Sequence, residues 1–304
     1  MDKIKFPFRS ADHLTLLHVI QESGAWEKYG LDVDYNIYIG PDEAHTAVAK
    51  GEVEFVSGNH ISPYAARLKG DRWIYLGQTI KFYNHRLIVR PDSKIEKVGD
   101  LRGKKVAARG QHPSGNNWLF LKQNGLDEDK GDLSMTRLRG AKKWELVERR
   151  DFDASLVTPP EDVLAKRIGL NVISLPPLPM IHFTTISTNS DFAAKHPDIV
   201  ERFLKGMLEG IHFFKTKKEK VTAVLRMKLD EEEREPELVD AIYEDLAPSL
   251  EPKLYPTLQA IENCFELAKH DHPECSKINP LSLWDLHYIR KIDDSGFFDQ
   301  LYPV

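Results

Sequence analysis

From residue 3 to about residue 80 the chain alternates strand-like and helix-like stretches, and this alternation constrains the fold more than any other feature. "KIKFPFR" reads as a strand, "LTLLHVIQESGAWEKYG" has helical apolar spacing and stops at Gly30, and "LDVDYNIYI" alternates with a period of two. "GPDEAHTAVAKG" puts Pro41 at a helix start, acids in the first turn and Gly51 at the far end. A strand "VEFVSG", a helix "SPYAARLKG" and a strand "WIYLGQTI" follow. Strands separated by helices predict βαβ units and a mainly parallel sheet. The same grammar restarts at "RLIVRP", with a strand over 106–109, a helix from near Ser114, and strands at "FDASLVTP" and "LNVISLP". After "TTISTNS" long helices take over, the first predicted over 193–214.

The expected organisation is therefore two α/β lobes joined by paired crossings near 84–89 and 184–187. Residues 1–85 form the first part of lobe 1, residues 86–186 form lobe 2, and residues 187–304 return to lobe 1 and add an α-rich C-terminal part. Each lobe is expected to be a mixed sheet flanked by helices, and 304 residues are enough for two such cores.

Charge and composition narrow the partners. The formal net charge is −5, and the like-charge runs "KTKKEK" and "DEEERE" lie close together with opposite signs, so no basic face marks a nucleic-acid binder. No window approaches the ~18 apolar residues of a membrane span. Two cysteines, Cys264 and Cys275, are too few for a disulfide framework or a cysteine-based zinc site, although one disulfide between them fits the count. A cytoplasmic chain and a periplasmic or extracellular chain whose leader was removed fit the N-terminus equally.

In open α/β sheets, ligands gather beyond the carboxyl ends of strands, where helix N-termini direct free N–H groups. That rule selects segments 10–13, 40–43, 57–62, 83–85, 110–117, 158–162 and 180–184. The stretch from Arg109 to Asn117, "RGQHPSGNN", joins glycines to N-capping side chains, with Ser114, Gly115 and Asn116 at the predicted helix start. Such a loop should grip a carboxylate or sulfonate. It lacks GKS or GKT, so nucleotide hydrolysis is not indicated, and no cofactor is called for. Arg9 and Arg109, at strand ends, are the charged groups suited to hold an anion in two places. Ser10, Asp12, Asn59, Thr158 and Glu161 fall on the same loops, and Tyr83 offers a flat wall.

Of twelve histidines, His13, His60, His85, His112 and His182 fall on predicted cleft loops, whereas His18, His45 and His212 lie within amphipathic helices. The five could donate hydrogen bonds to a ligand, join Asp12 or Glu161 at a metal, or move protons. No HxxxH or HxH pair gives the metal a local geometry, and a metal is not the expected use. With no cysteine near the cleft loops and no GxSxG elbow, neither a Cys-His nor a Ser-His-Asp arrangement is expected.

The segments "YGLDVDY…GPDEAHTAVAKGEVEFVSGN", "RLIVRPDSKIEKVGDLRGKKVAARG", "FDASLVTPPEDVLAKRIG" and "HPDIVERFLKGMLEGIHFF" resemble, in order, the solute-binding proteins of sulfonate, nitrate and thiamine-precursor ABC transporters. The resemblance runs over roughly residues 4–215 and weakens to the end, where "WDLHYIRKIDDSGFFDQL" fits the usual terminal helix. It implies the periplasmic-binding-protein-like type II fold in its NMT1/THI5-like branch, with the loop after "DLRGKKV" as a ligand contact. It also implies a small-molecule ligand and, for a transporter component, an ABC permease as partner.

Three functions fit this frame. The first is a solute-binding protein that holds a small organic anion, a carboxylate or sulfonate, aromatic or not, in the inter-lobe cleft. The second is a cytosolic enzyme on the same fold, a decarboxylase or dehydratase acting on a small acid, with His60 and His112 as its catalytic pair and Arg109 or Arg9 holding the carboxylate. The THI5-like pyrimidine synthase is one such enzyme, but its cysteine-rich iron motif has no counterpart here, and its substrate histidine aligns near Ser62. The third is a metabolite sensor. We rank them in that order.

Overall fold

The computed structural model describes all residues except 59–60, 110–114, 139–141, 183–184 and 304. The strands, in chain order, are β1 (Asp2–Lys5), β2 (Leu31–Asp34), β3 (Val56–Ser57), β4 (Trp73–Gly77), β5 (Ile80–Tyr83) and β6 (Arg86–Val89). They continue with β7 (Lys105–Arg109), β8 (Ser134–Leu138), β9 (Ala154–Val157), β10 (Asn171–Ser174), β11 (Leu178–His182) and β12 (Ile186–Asn189). The chain divides into two compact units. One comprises Met1–Phe82, Pro179–Arg234 and Leu246–Val304, and the other Tyr83–Leu178 and Glu235–Asp245. The sequence places the crossings at 85/86 and 186/187, three and eight residues later than these borders, and does not separate 235–245 from the rest of the C-terminal part.

In the first unit β1 and β2 pair in parallel, and β12 lies antiparallel between β3 and β4. Two bonds join these pieces into one sheet: the Phe55 N–H donates to the Lys5 carbonyl at 3.2 Å and the Ser57 N–H to the Pro7 carbonyl at 3.0 Å. The resulting order is β2-β1-β3-β12-β4. The second unit has the order β8-β7-β9-β6-β10, with β7 parallel to both β8 and β9, and β6 antiparallel to β9 and β10. The two sheets thus share one plan, in which the single antiparallel strand is the first to follow a crossing of the chain. Strands β5 and β11, at the crossings, pair with each other.

Packing follows from the apolar pattern. In the helix Pro197–Thr216, Val200, Phe203, Leu204, Met207, Leu208, Ile211 and Phe214 are buried, which is the spacing of one helical face. Phe203 stacks on Phe55 with ring centroids 4.0 Å apart and on Trp26 at 5.9 Å, and meets the edge of Phe6 at 4.9 Å. Two glycines let this helix approach its neighbours. A Cβ at Gly206 would lie 2.4 Å from Trp26, and one at Gly210 would lie 2.5 Å from Ile20. In the second unit Val106, Ala107 and Ala108 on β7, and Leu87 and Ile88 on β6, are wholly buried, as expected for central strands covered on both faces.

Three local expectations change. The helix predicted over 193–214 is two helices, Ser190–Lys195 and Pro197–Thr216, because proline cannot continue the first and suits the first turn of the second. "WIYLGQTI" splits into β4 and β5. Cys264 and Cys275 are both buried free thiols rather than a disulfide.

Candidate functional site

The antiparallel strand fixes where the polar residues collect. It begins where its parallel neighbours end: Ile186 pairs with Ser57 and Gly77, and Arg86 pairs with Val157. In each unit the first residues after a crossing therefore sit at the carboxyl ends of the parallel strands, the end at which ligands bind in such sheets.

In the first unit that end carries Arg9, Ser10, Asp12, His13 and Ser57. The chain leaves β1 and enters the short 3₁₀ turn Ala11–His13. His13 is buried, with Nδ1 2.9 Å from the Ser57 hydroxyl at the end of β3, and the Ser10 hydroxyl donates to Asp12 at 3.2 Å. Arg9 is half-buried. Burial pushes the Tyr75 phenol well above its ordinary value, and the Arg9 charge pulls it the other way. Asn59 and His60 lie outside the described residues. So does the side chain of His182, whose backbone ends β11.

In the second unit the crossing delivers Tyr83 and His85. His85 is 1% exposed, its Nε2 is 2.9 Å from Asn117 Oδ1, and its ring lies between Phe120, stacked at 4.3 Å, and the edge of Tyr83 at 4.3 Å. Burial lowers its pKa from 6.5 to about 4, the Asn117 bond opposing and the Arg86 charge adding to the fall. The imidazole is therefore neutral at ordinary pH. The partner oxygen on Asn117 only accepts, so Nε2 carries the hydrogen and Nδ1, buried and without a hydrogen-bond partner among the described residues, keeps a lone pair.

Beyond β7 the helix Gly115–Gln123 begins, with Gly115 half-buried and Asn116 and Asn117 buried in its first turn. The backbone of Arg109 ends β7. Its side chain, together with His112 and Ser114, lies outside the described residues. After β9, Thr158 is half-buried and its carbonyl accepts from the Glu161 N–H at 3.1 Å. The Glu161 carboxylate in turn accepts from Lys143 Nζ at 2.5 Å, and Lys143 is 2% exposed. A second charged group forms beside it. Arg86 donates to Asp245 at 2.9 Å and lies 3.9 Å from Asp162, while Asn84 donates to Asp245 at 3.1 Å. Burial holds the Asp245 carboxyl above its ordinary value against the pull of Arg86.

The expected residues thus fall into separate small sets: His13 with Ser57, Ser10 with Asp12, His85 with Tyr83 and Asn117, and Glu161 with Lys143. Asp12 and Glu161, the carboxylates considered for a metal, are taken up in two of these. Among the described residues no group of three or more His, Cys, Asp or Glu could hold a metal ion. Sequence reading missed Lys143, and it placed Asn117 and Asp162 on the selected segments 110–117 and 158–162 without singling either out. A buried lysine and asparagine carry no local motif, and only Asn117's place in the first turn after a strand marked it.

One expectation is overturned within the first unit. His45 Nδ1 is 3.0 Å from Asp71 Oδ2 and His45 Nε2 is 2.9 Å from the Ser62 hydroxyl, so a Ser-His-Asp arrangement is present although no elbow motif announces it.

Taken together, the shared sheet order, the crossings and the polar strand ends define a two-unit α/β protein of the periplasmic-binding type. A model of the NMT1/THI5-like family matches residues 11–220, and the chain belongs to that family. No curated protein matches the sequence significantly. Solved structures share the fold. The periplasmic aliphatic sulphonate binding protein SsuA from Escherichia coli is 20% identical with a TM-score of 0.69, covering 91% of this chain and 94% of that one. The alkanesulfonate-binding protein SsuA from Xanthomonas axonopodis pv. citri, bound to MOPS, is 14% identical at 0.61, covering 91% and 95%. The desulfurization enzyme DSZB is 12% identical at 0.64, covering 96% and 99%. At these identities the likeness establishes the fold, and the same fold carries both binding proteins and an enzyme.

Proposed function

We propose that the chain is the solute-binding component of an ABC transporter and that its solute is a small organic anion, a carboxylate or a sulfonate. Family membership supports the solute-binding role, and the neighbours that bind sulfonates support the anion class. The observation that carries the anion is the first turn of Gly115–Gln123, the first helix after the strand that Arg109 ends, where Asn116 and Asn117 are buried. Amide donors, N–H groups at a helix start and a guanidinium all favour anionic oxygens over a neutral or cationic group. A permease would be the partner, and the working location would be periplasmic or extracellular. Among the described residues no helix is long and apolar enough to cross a membrane.

The test is a thermal-shift screen of small alkanesulfonates, aryl sulfonates and carboxylates. A ligand at ~100 times its Kd should stabilise the folded chain by about 2.7 kcal/mol. Arg109→Ala should remove the shift. Full retention would take Arg109 out of the site and leave Arg9 as the anion-holding group. A second reading, a decarboxylase or dehydratase acting on a small acid through His60 and His112, draws on the fold shared with DSZB. Incubating the hit with the protein and following its mass separates the two. Unchanged ligand with reversible binding supports the receptor; a product formed by wild type and lost in His60→Ala and His112→Ala supports the enzyme.

A further inference from the structure

We infer that Ser62, His45 and Asp71 form a nucleophilic triad able to take an acyl group from a small ester, an activity separate from solute binding. The three residues come from three local elements of the first unit. His45 lies on the helix Pro41–Lys50, Ser62 opens the helix Ser62–Leu68, and Asp71 sits in the turn before β4. Asp71 Oδ2 is 3.0 Å from Nδ1 of His45, and the Ser62 hydroxyl is 2.9 Å from Nε2. These are the two contacts, on the two different ring nitrogens, that a serine nucleophile needs from its base and its base needs from an orienting acid.

The protonation pattern follows from the partners. An ionised carboxylate only accepts, so Nδ1 carries the ring hydrogen and Nε2 offers its lone pair to the serine O–H. Burial works against the Asp71 carboxylate, but the His45 bond and the Trp73 N–H together hold it below its ordinary range, which keeps it ionised. The supporting contacts fix the acid and the base. Asp71 Oδ1 accepts the Trp73 N–H at 2.8 Å, the Asp71 N–H donates to the Ala66 carbonyl at 3.1 Å, and the Trp73 ring lies 4.6 Å from the His45 ring. The side chains of His45 and Asp71 are 16% and 18% exposed and Ser62 is half-buried, so the set lies partly at the surface. A histidine serving only to clip a helix to a turn needs one of these bonds. The serine hydroxyl on the second nitrogen supplies the contact that nucleophilic chemistry needs.

The step balances without a cofactor. As Ser62 Oγ bonds to the ester carbonyl carbon, its proton passes to Nε2 and the carbonyl π pair moves to oxygen. When the tetrahedral adduct collapses, the C–O bond to the alcohol breaks and Nε2 returns the proton to the departing oxygen, leaving an acyl-serine. A water then attacks, Nε2 takes its proton, and Ser62 leaves reprotonated. Ester and water become acid and alcohol.

The full chain is treated with a fluorophosphonate, which forms an Oγ–P bond, releases fluoride and leaves the serine proton with His45. Peptide mass spectrometry should place the adduct on Ser62, and p-nitrophenyl acetate should be hydrolysed with an initial burst of nitrophenolate. Ser62→Ala should abolish both. His45→Gln should slow labelling at least ~10²-fold, and Asp71→Asn by up to ~10⁴-fold, while each variant keeps its circular dichroism spectrum. A Ser62→Cys chain guards against a His45 variant that fails to fold. Its introduced thiol should be alkylated by iodoacetamide at neutral pH many-fold faster than buried Cys264 and Cys275. No adduct at Ser62, equal labelling in folded His45→Gln, or a sluggish introduced thiol in the Ser62→Cys chain would each overturn the triad.

Discussion

His85 should make the second unit acid-sensitive, by an amount its burial sets. Its pKa is 6.5 when unperturbed and about 4 in the folded chain, because a charged imidazole is not tolerated where the ring is 1% exposed between Phe120 and Tyr83. A depressed histidine pKa means that the unfolded chain binds more protons between the two values. Stability is then full above 6.5, declines as the pH falls and stops declining below about 4. At about 1.36 kcal/mol per pH unit the full loss is about 3 kcal/mol, of which about 2.5 kcal/mol is expressed at about pH 4.5. His85→Gln keeps a donor for Asn117 and cannot titrate. At about pH 7.5 the variant should be less stable by about 1 kcal/mol, the usual cost of an imperfect substitute for a buried hydrogen-bonded group. At about pH 4.5 the order should reverse, with the variant ahead by about 1.5 kcal/mol. Urea denaturation at the two pH values, read by hydrogen exchange in peptides from β6 and β9, restricts the measurement to the second unit. Carboxylates titrating in the same range are common to both proteins and cancel. Parallel pH dependence in wild type and variant would show that His85 takes up its proton without penalty, and the burial argument would fail.

Other expectations concern packing and charge. Gly210→Ala would bring a Cβ to 2.5, 2.7 and 2.9 Å from three atoms of Ile20, one of them its Cβ, so the ~1 kcal/mol gained in helix propensity should be outweighed by a ~1–3 kcal/mol packing cost. A rise in melting temperature would show that the two helices part easily. Lys143→Met leaves the Glu161 carboxylate without its buried partner and should cost about 2–3 kcal/mol, discounted because the glutamate side chain is 21% exposed. Adding Glu161→Gln should recover a large part of that, and a strictly additive double variant would deny the coupling. Burial pushes the Cys264 thiol far up, so iodoacetamide should modify it only in denaturant, as mass spectrometry of the native and unfolded chain will show.

The parts of the fold that are legible in the sequence are those set by local pattern. Helix Pro41–Lys50 follows from Pro41 and from Gly51, which takes a left-handed φ of 70° at its end. The buried strands β6, β7 and β9 follow from apolar runs. Strand β8, "SMTRL", escapes a reading by pattern because it is an edge strand whose side chains face water as often as protein, and β11, "LPMIH", because Pro179 reads as a loop residue. The Ser62–His45–Asp71 set is illegible for a different reason. Its members are 17 and 26 residues from the histidine, and what joins them is the turn after Leu68. Gly70, at φ 88°, and the bond from the Asp71 N–H to Ala66 fold that turn back. A motif search looks for fixed spacings, and a turn that reverses the chain creates proximity at none of them.

Topology also explains why polar residues concentrate at the chain crossings. A parallel strand delivers its last residue to the carboxyl end of a sheet, and an antiparallel strand delivers its first residue there. Because each unit places its antiparallel strand directly after a crossing, the crossing segment is itself at that end. Arg86 opens β6 opposite Val157, and Ile186 opens β12 opposite Ser57. The residues just before them are buried yet polar, His85 bonded to Asn117 and Thr185 accepting the Gly58 N–H at 2.9 Å. An apolar residue in place of His85 would pack as well but would leave Asn117 without its donor. A substitution at that crossing therefore acts on two properties at once, the polar end of the sheet and the start of its central antiparallel strand. His85→Leu should accordingly be worse than His85→Gln at neutral pH by about 1–3 kcal/mol, the cost of taking the His85 donor from a buried amide oxygen. Equal stability of the two variants would mean that Asn117 finds another donor, and that the crossing contributes only chain connection.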